Sequence, residues 1–398
     1  MRKFTTILML LAVFCIPVSG QTEKEILSKA TDLVANKKYS SAFKTLKDFD
    51  PKDEKPDIVL LEEDIALNYF VTSMMHQMFA FKDLKMNESV MDYRGKEGVY
   101  DMFSFSVNDI MDKLIKKYPT NYKLYKGLAD FYSDVLIRYP GNWLKKDNEL
   151  SDLVLKNYQI VIDHQAADYT VYYKVGLELV SRKKYKESIP NFLESIKLKS
   201  DNADTHYNLA YAYLYTNDRE NALKYAKNSF DWYTDKNYKE DAARMIGQIY
   251  VEMKNDSDAI KYYEIANVME ADNYYNLHPL LNLYVKTTDP KAKETLNSFY
   301  NLAPDKPTIY NDLGNIYYEN SKTSELIDFY LTKVPAYASD KKISGNLHFY
   351  LGQLYLDSDK KTAKDYFLKA KAIFSTVFDK NNGVFNAINE GIKQADKK

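Results

Sequence analysis

The strongest constraint on this chain is a short pattern that returns at a nearly constant interval. The segments Tyr125–Tyr132, Tyr172–Leu179, His206–Tyr213, Ala243–Tyr250, Leu277–Tyr284, Tyr310–Tyr317 and His348–Tyr355 share one template. In nearly all of them an aliphatic residue is followed by a small one and then, three positions on, by an aromatic or aliphatic one. From Tyr172 onward the starts lie 33 to 38 residues apart. A period of that length makes the repeat the folding unit: each copy is too small to bury its own apolar face and must stack on the next.

Most segments are followed by a polar loop and a second amphipathic stretch. There a small residue precedes a larger or apolar one by four positions: Ser188 and Phe192, Ala222 and Ala226, Ala259 and Tyr263, Ala292 and Leu296, Ala363 and Phe367. Spacings of three and four place such residues on one face of a helix, so the unit reads as a pair of helices. From about Asn121 to Lys371 this pattern resembles the tetratricopeptide repeat. In that family small residues let the two helices of a hairpin approach closely, and large residues fill the gap to the next hairpin. The resemblance implies an all-α fold, a right-handed α-solenoid of antiparallel helix pairs forming a superhelix. Leu281 and Leu326 stand where the family prefers small residues, so those two hairpins are expected to be splayed or shifted. Gly314 stands at a small position, and a leucine there is expected to overpack its hairpin.

The ends of the chain depart from the template. Arg2 and Lys3, the apolar run Phe4 to Val18 and the small-residue exit Val18-Ser19-Gly20 have the layout of a secretory signal peptide over residues 1–20. The run is too short for a comfortable membrane span, and no second long apolar stretch follows. The expected product is therefore exported to the periplasm or the extracellular space, begins near Gln21 and has no transmembrane span. Cys15, the single cysteine, leaves with the signal, so the mature chain can form neither a disulfide nor a thiolate site. Phe14 before it is the wrong neighbour for lipoprotein acylation. Residues 21–120 read as divergent helix pairs: one hairpin from Glu23 to Pro51, a long helix from Ile58 to Phe81, a polar connector around Arg94–Gly98 and a helix ending at Tyr118. Residues 121–372 form the regular array, and 373–398 carry a capping helix from about Val384 to Lys393 that is polar on its outer side.

Candidate chemistry is sparse. Removing Arg2 and Lys3 takes the formal net charge from −1 to −3, a near-neutral balance that argues against nucleic acid as a partner. No phosphate-cradling glycine motif occurs. The five histidines fall in different hairpins, so no shared metal or catalytic cluster is expected and neither cofactor nor enzymatic activity is assigned. Met74-Met75-His76-Gln77-Met78 contains ligands that suit Cu(I), but it also reads as a buried helix face that uses methionine as filler.

The resemblance directs attention to the face lined by the first helices. The residue after the small position is Gln248, Asn282, Asn315 and Gln353 in four successive hairpins. Carboxamides both donate and accept, so such a row could match the amides of an extended peptide. Nearby inward positions are Tyr207, Tyr211, Tyr215, Arg244, His278, Asn311, Tyr318 and Phe349, and the interruption holding Trp143 is a secondary candidate. The family's clamp for a C-terminal dicarboxylate is not reproduced, because Asn208 fits but its basic companions are missing. The expected function is a non-enzymatic scaffold in the cell envelope that holds a protein or peptide partner, which the resemblance to exported repeat proteins of Bacteroidota also suggests. The alternative is a glycan-binding protein built on the same helices, which would lean on exposed aromatic platforms.

Overall fold

The computed structural model describes residues 22–98 and 100–397; the expected signal peptide lies outside them. Contacts divide the chain into two compact units that meet at residue 178. The first contains α1 (Glu23–Ala35), α2 (Tyr39–Phe49), α3 (Pro56–Asn68), β1 (Thr72–Met74), β2 (Met78–Ala80), β3 (Met102–Ser104), α4 (Val107–Lys117), α5 (Tyr122–Arg138), α6 (Asp147–Asp163) and most of α7 (Tyr169–Ser181). The second contains α8 (Tyr185–Leu198), α9 (Ala203–Tyr215), α10 (Arg219–Trp232), α11 (Lys236–Glu252), α12 (Asp256–Met269), α13 (Tyr274–Thr287) and α14 (Ala292–Asn301). It continues with α15 (Pro307–Glu319), α16 (Thr323–Ala336), α17 (Lys341–Tyr355), α18 (Lys360–Phe374) and α19 (Val384–Ala395).

The hairpin loops repeat one device. Lys37, Lys183, Asn217, Lys254, Thr288 and Ser321 each adopt a positive φ directly after a first helix. The next backbone N–H then returns to a carbonyl of the last helical turn, as Asp218 does to Tyr213 and Asn255 to Tyr250. Left-handed residues of this kind satisfy carbonyls that a helix end leaves unpaired. None of the six is glycine. The second helices are capped at their start by Asp218, Asn255 and Asp359, whose side chains accept from backbone N–H groups of the first turn.

Packing in the second unit follows the template where its small residues are in place. Ala210, Ala222 and Ala226 close α9 on α10, and Gly247 with Ala259 closes α11 on α12. Gly352 with Ala363 does the same for α17 and α18. The pairs α13 with α14 and α15 with α16 approach along much less of their length. They are the two hairpins in which Leu281 and Leu326 stand in small positions, as expected from their volume. Around them one large core gathers Phe299, Tyr300, Tyr310, Tyr317, Leu326, Tyr330 and Leu347.

Gly314 is a correction. A Cβ there would meet nothing within 4 Å, whereas at Gly247 it would lie 2.9 Å from the Tyr263 ring and at Gly352 2.8 Å from the Phe367 ring. The same splay that Leu326 imposes leaves Gly314 facing a hollow rather than a tight contact. A second correction concerns residues 69–81. The helix stops at Asn68, and β1, β2 and β3 form a small antiparallel sheet in the order β1-β2-β3. Phe79 opposes both Ser73 and Phe103 on the side facing the core. Met74 is 61% exposed, so the methionine run is a hairpin and not a buried helix face. Met75 and His76 both have a φ of 48°, an uncommon geometry for side chains of their size, and Gln77 N–H closes the turn on the Met74 carbonyl at 2.9 Å.

Candidate functional site

The carboxamide row sits on α11, α13, α15 and α17 within the second unit. Gln248, Asn315 and Gln353 are exposed. Asn282 is half-buried and differs from them: its Oδ1 accepts from Asn320 Nδ2 at 3.0 Å, which ties it to the end of α15. The row is therefore three free carboxamides and one already engaged within the fold.

Two hollows flank it. The first, about 210 Å³, lies between α9 and α11 and is lined by Tyr207, Tyr211, Tyr215, Asp241, Arg244 and Gln248 among others. Arg244 pairs with Asp241 through Nη2, and its Nε lies 3.5 Å from the buried Glu240 carboxylate. That charge is thus balanced locally before any ligand arrives. Tyr185 stacks on Tyr215 with ring centres 4.7 Å apart, and Tyr211 leans on the same ring at 4.6 Å. The hydrogen bond to Tyr215, with burial, pushes the Tyr211 phenol well above its ordinary range, so it is a neutral group at physiological pH.

The second hollow, about 130 Å³, lies between α15 and α17 over α16. Asn311, Asn315 and Gln353 contribute amides to it, Gly314 opens it, and Tyr310, Tyr330 and Tyr350 contribute rings. Tyr310 and Tyr350 stack at 4.7 Å with 12° between their planes. The Tyr310 hydroxyl donates to the Pro304 carbonyl at 2.8 Å. The Tyr330 hydroxyl is buried without a partner.

The remaining expected residues fall elsewhere. His278 is half-buried and stacks on Tyr274 beside Phe299. Tyr318 is 71% exposed and lines neither hollow. Phe349 is corrected: its ring packs edge-on against Tyr350 and Phe367 as part of the apolar interior. Trp143 is corrected as well. It is only 9% exposed, its Nε1 donates to the Met75 carbonyl at 2.7 Å, and its ring meets Phe131 and Tyr132 edge-on, so it is not an open platform.

Two polar clusters in the first unit escaped the sequence reading. His76, wholly buried, has Ser73 Oγ 2.9 Å from Nδ1 and Asp134 Oδ2 2.7 Å from Nε2. Ser73 Oγ is also 2.8 Å from the Tyr139 hydroxyl, and Arg138 Nε donates to Asp134 at 2.7 Å. Burial alone would raise the Asp134 carboxyl, but hydrogen bonds from His76 and Arg138 hold it below its ordinary value. With both ring nitrogens engaged, the histidine fastens the hairpin to α5. The other cluster holds buried Glu63 beside Asp130, which accepts from Lys126 at 2.9 Å and from Tyr158 at 2.5 Å, whereas Glu62, also buried, lies 3.9 Å from Lys47 Nζ. No residue spacing signals either cluster, because their members come from different elements far apart in sequence. Among the described residues, no three His, Cys, Asp or Glu side chains are grouped to hold a metal ion, and no helix is long and apolar enough to cross a membrane.

Comparison with known proteins agrees with the repeat. A model described as TPR repeat matches residues 176–215, and one described as tetratricopeptide repeat matches 203–235. No curated protein sequence matches the chain. Among solved structures, a tetratricopeptide repeat protein from Parabacteroides merdae is 14% identical, covers 69% of this chain and 99% of its own, and has a TM-score of 0.42. YrrB, described as a TPR protein with an unusual peptide-binding site, is 14% identical over 54% of this chain and 97% of its own, with a TM-score of 0.36. PilF of Pseudomonas aeruginosa is 16% identical over 52% and 87%, with a TM-score of 0.40.

Proposed function

We propose, for a chain that carries tetratricopeptide repeats, a role as a non-enzymatic scaffold that holds an extended segment of a partner protein along the first helices of the second unit. Proteins built on this repeat are generally non-catalytic and bind other proteins or peptides. The observation that carries the reading is the exposure of Gln248, Asn315 and Gln353 at one template position beside two hollows. Each free carboxamide can both donate to and accept from a peptide amide, at about 0.5–1.5 kcal/mol net per hydrogen bond. A row of them gives affinity without demanding a particular side chain. Because Asn282 is bonded to Asn320, it contributes little of this.

The test is the triple variant Gln248→Ala, Asn315→Ala, Gln353→Ala. It should keep the helical fold and lose partner capture by at least tenfold, whereas Asn282→Ala should not. Retention of the same affinity by the triple variant sinks the reading. Export into the cell envelope belongs to the same proposal and rests on the charged, apolar and small-residue order of residues 1–20. Intact-mass measurement of the native protein should give a chain that starts close to Gln21.

A glycan-binding role is the second reading. The exposed rings of Tyr215, Trp232 and Tyr318 favour it, although the burial of Trp143 removes one of the two tryptophans from that account. A glycan array separates the two readings: saturable binding that Tyr215→Ala abolishes would support the second and not the first.

A further inference from the structure

We propose that the surface carried by residues 74–102 of the first unit is a methionine oxidation site, a reversible sink for two-electron oxidants of the hypohalous acid class. It is independent of the scaffold role and uses none of the residues assigned to that role.

Sulfur is placed unevenly in this chain. Of the twelve methionines, six lie between positions 74 and 102: Met74, Met75, Met78, Met86, Met91 and Met102. Four of them face solvent, with Met74 61%, Met86 66%, Met91 68% and Met102 38% exposed, and Met75 and Met78 are half-buried. Met111 and Met245, by contrast, lie in the interior. Methionine ordinarily serves a fold by filling an irregular gap in its core, and an exposed methionine fills none.

Other groups hold the segment in place. Gln77 N–H closes on the Met74 carbonyl at 2.9 Å, the Trp143 indole donates to the Met75 carbonyl at 2.7 Å, and Lys37 Nζ reaches the carbonyls of Met86 at 2.7 Å and Glu88 at 2.8 Å. Met91 N–H donates to Ser89 Oγ at 3.2 Å, and Met102 is fixed by strand pairing opposite Ala80. These bonds use main-chain atoms that any residue type would supply, while Phe79 and Phe81 bury the apolar side of the segment. What the four exposed side chains add is therefore the reactivity of a thioether.

In that reaction the sulfur forms one S–O bond and gives up two electrons, the O–Cl bond of hypochlorous acid breaks, and chloride and a proton leave. The product is a polar sulfoxide, which methionine sulfoxide reductases return to the thioether. Inside a core, as at Met111, that polarity would disrupt packing; on side chains already in water it costs the fold little. The single cysteine is Cys15, so residues 22–398 contain no thiol to react first. The exposed thioethers are then the soft nucleophiles that meet the oxidant ahead of Trp143 and the buried tyrosines.

The experiment treats the full chain, in a Cys15→Ser background, with increments of hypochlorous acid and maps the products by peptide mass spectrometry. Met74, Met86, Met91 and Met102 should be oxidised before Met111 and Met245, with the melting temperature unchanged, and a methionine sulfoxide reductase should restore them. Replacing all four with leucine keeps apolar side chains at the surface, and that variant should lose its helical signal at about half the oxidant dose that the native chain withstands. Oxidation of Met111 or Met245 alongside the four, or a fall in melting temperature once the four are oxidised, overturns the inference. A leucine variant that withstands the native dose overturns it too, and shows the four to be inert surface side chains.

Discussion

Replacing Gly314 and Gly352 by alanine, one at a time, measures the splay of the α15–α16 pair directly. Both glycines lie inside helices at the same template position, so both substitutions gain the same helix propensity, about 0.5–1 kcal/mol. At Gly314 nothing opposes that gain, because a Cβ meets no atom within 4 Å. At Gly352 the new carbon would stand 2.8 Å from Phe367 Cδ1, well inside the contact distance of about 3.5–4.0 Å for two carbons. The Phe367 ring is wholly buried and cannot withdraw, since a Cβ on Gly391 would touch its far edge at 2.6 Å. Overpacking of this kind costs about 1–3 kcal/mol, so Gly352→Ala should be destabilising on balance. Because the propensity gain cancels, the two variants should differ by the overpacking cost, about 1–3 kcal/mol, which for a unit of this size corresponds to roughly 2–12 °C in melting temperature. Thermal unfolding followed by circular dichroism, with the second unit's transition resolved by calorimetry, reads the difference. Equal midpoints, or a Gly314→Ala variant that melts lower than Gly352→Ala, would show that α15 and α16 are closely packed and that the hollow does not exist.

The polar clusters of the first unit give further tests. Asp134→Ala should strip partners from buried His76 and from Arg138 and cost about 1–3 kcal/mol; hydrogen exchange should rise in residues 72–80, and unchanged protection there would refute the fastening role. Burial pushes the Glu62 carboxyl up to about 9 despite Lys47 Nζ at 3.9 Å, with Asp53 and Asp50 acting in the same direction as burial. Between the ordinary value of 4.5 and 9 the folded state holds this proton and the unfolded state does not, so this group's contribution to stability falls as pH rises through that window. Glu62→Gln should accordingly flatten the decline between pH 5.5 and 8.5 in urea titrations, and identical pH profiles for variant and native chain would count against it. For the triple carboxamide variant the loss of partner binding should be nearly independent of salt, because no charge is removed; a steep salt dependence of the lost part would point instead to Arg244 and Asp241.

The sequence alone was enough to show the period, the helix pairs and their template, because close approach of two helices requires small residues at fixed spacing and large ones beside them. It also marked Leu281 and Leu326 as misfits, and the two hairpins that hold them are the loosely closed ones. It read Val384 onward as a short terminal helix, which runs to Ala395. What it could not show depends on where a displaced group goes. An oversized residue announces that a pair will open, but whether the neighbouring ring follows or stays behind is decided by everything else packed against that ring. Only the assembled core of Tyr300, Tyr310, Tyr330 and Tyr350 leaves Gly314 over an empty space. The same limit applies to Asn282, which has the same template position as Gln248 and yet finds Asn320 within reach. Residues 69–81 carry enough apolar side chains for either a helix or a strand, and the choice falls to partners distant in the chain: Phe103 across the sheet, Asp134 on α5 and the Trp143 indole on the Met75 carbonyl. Periodicity records which face of an element must be buried; the partners that bury it, and the gaps they leave, exist only once the elements are packed.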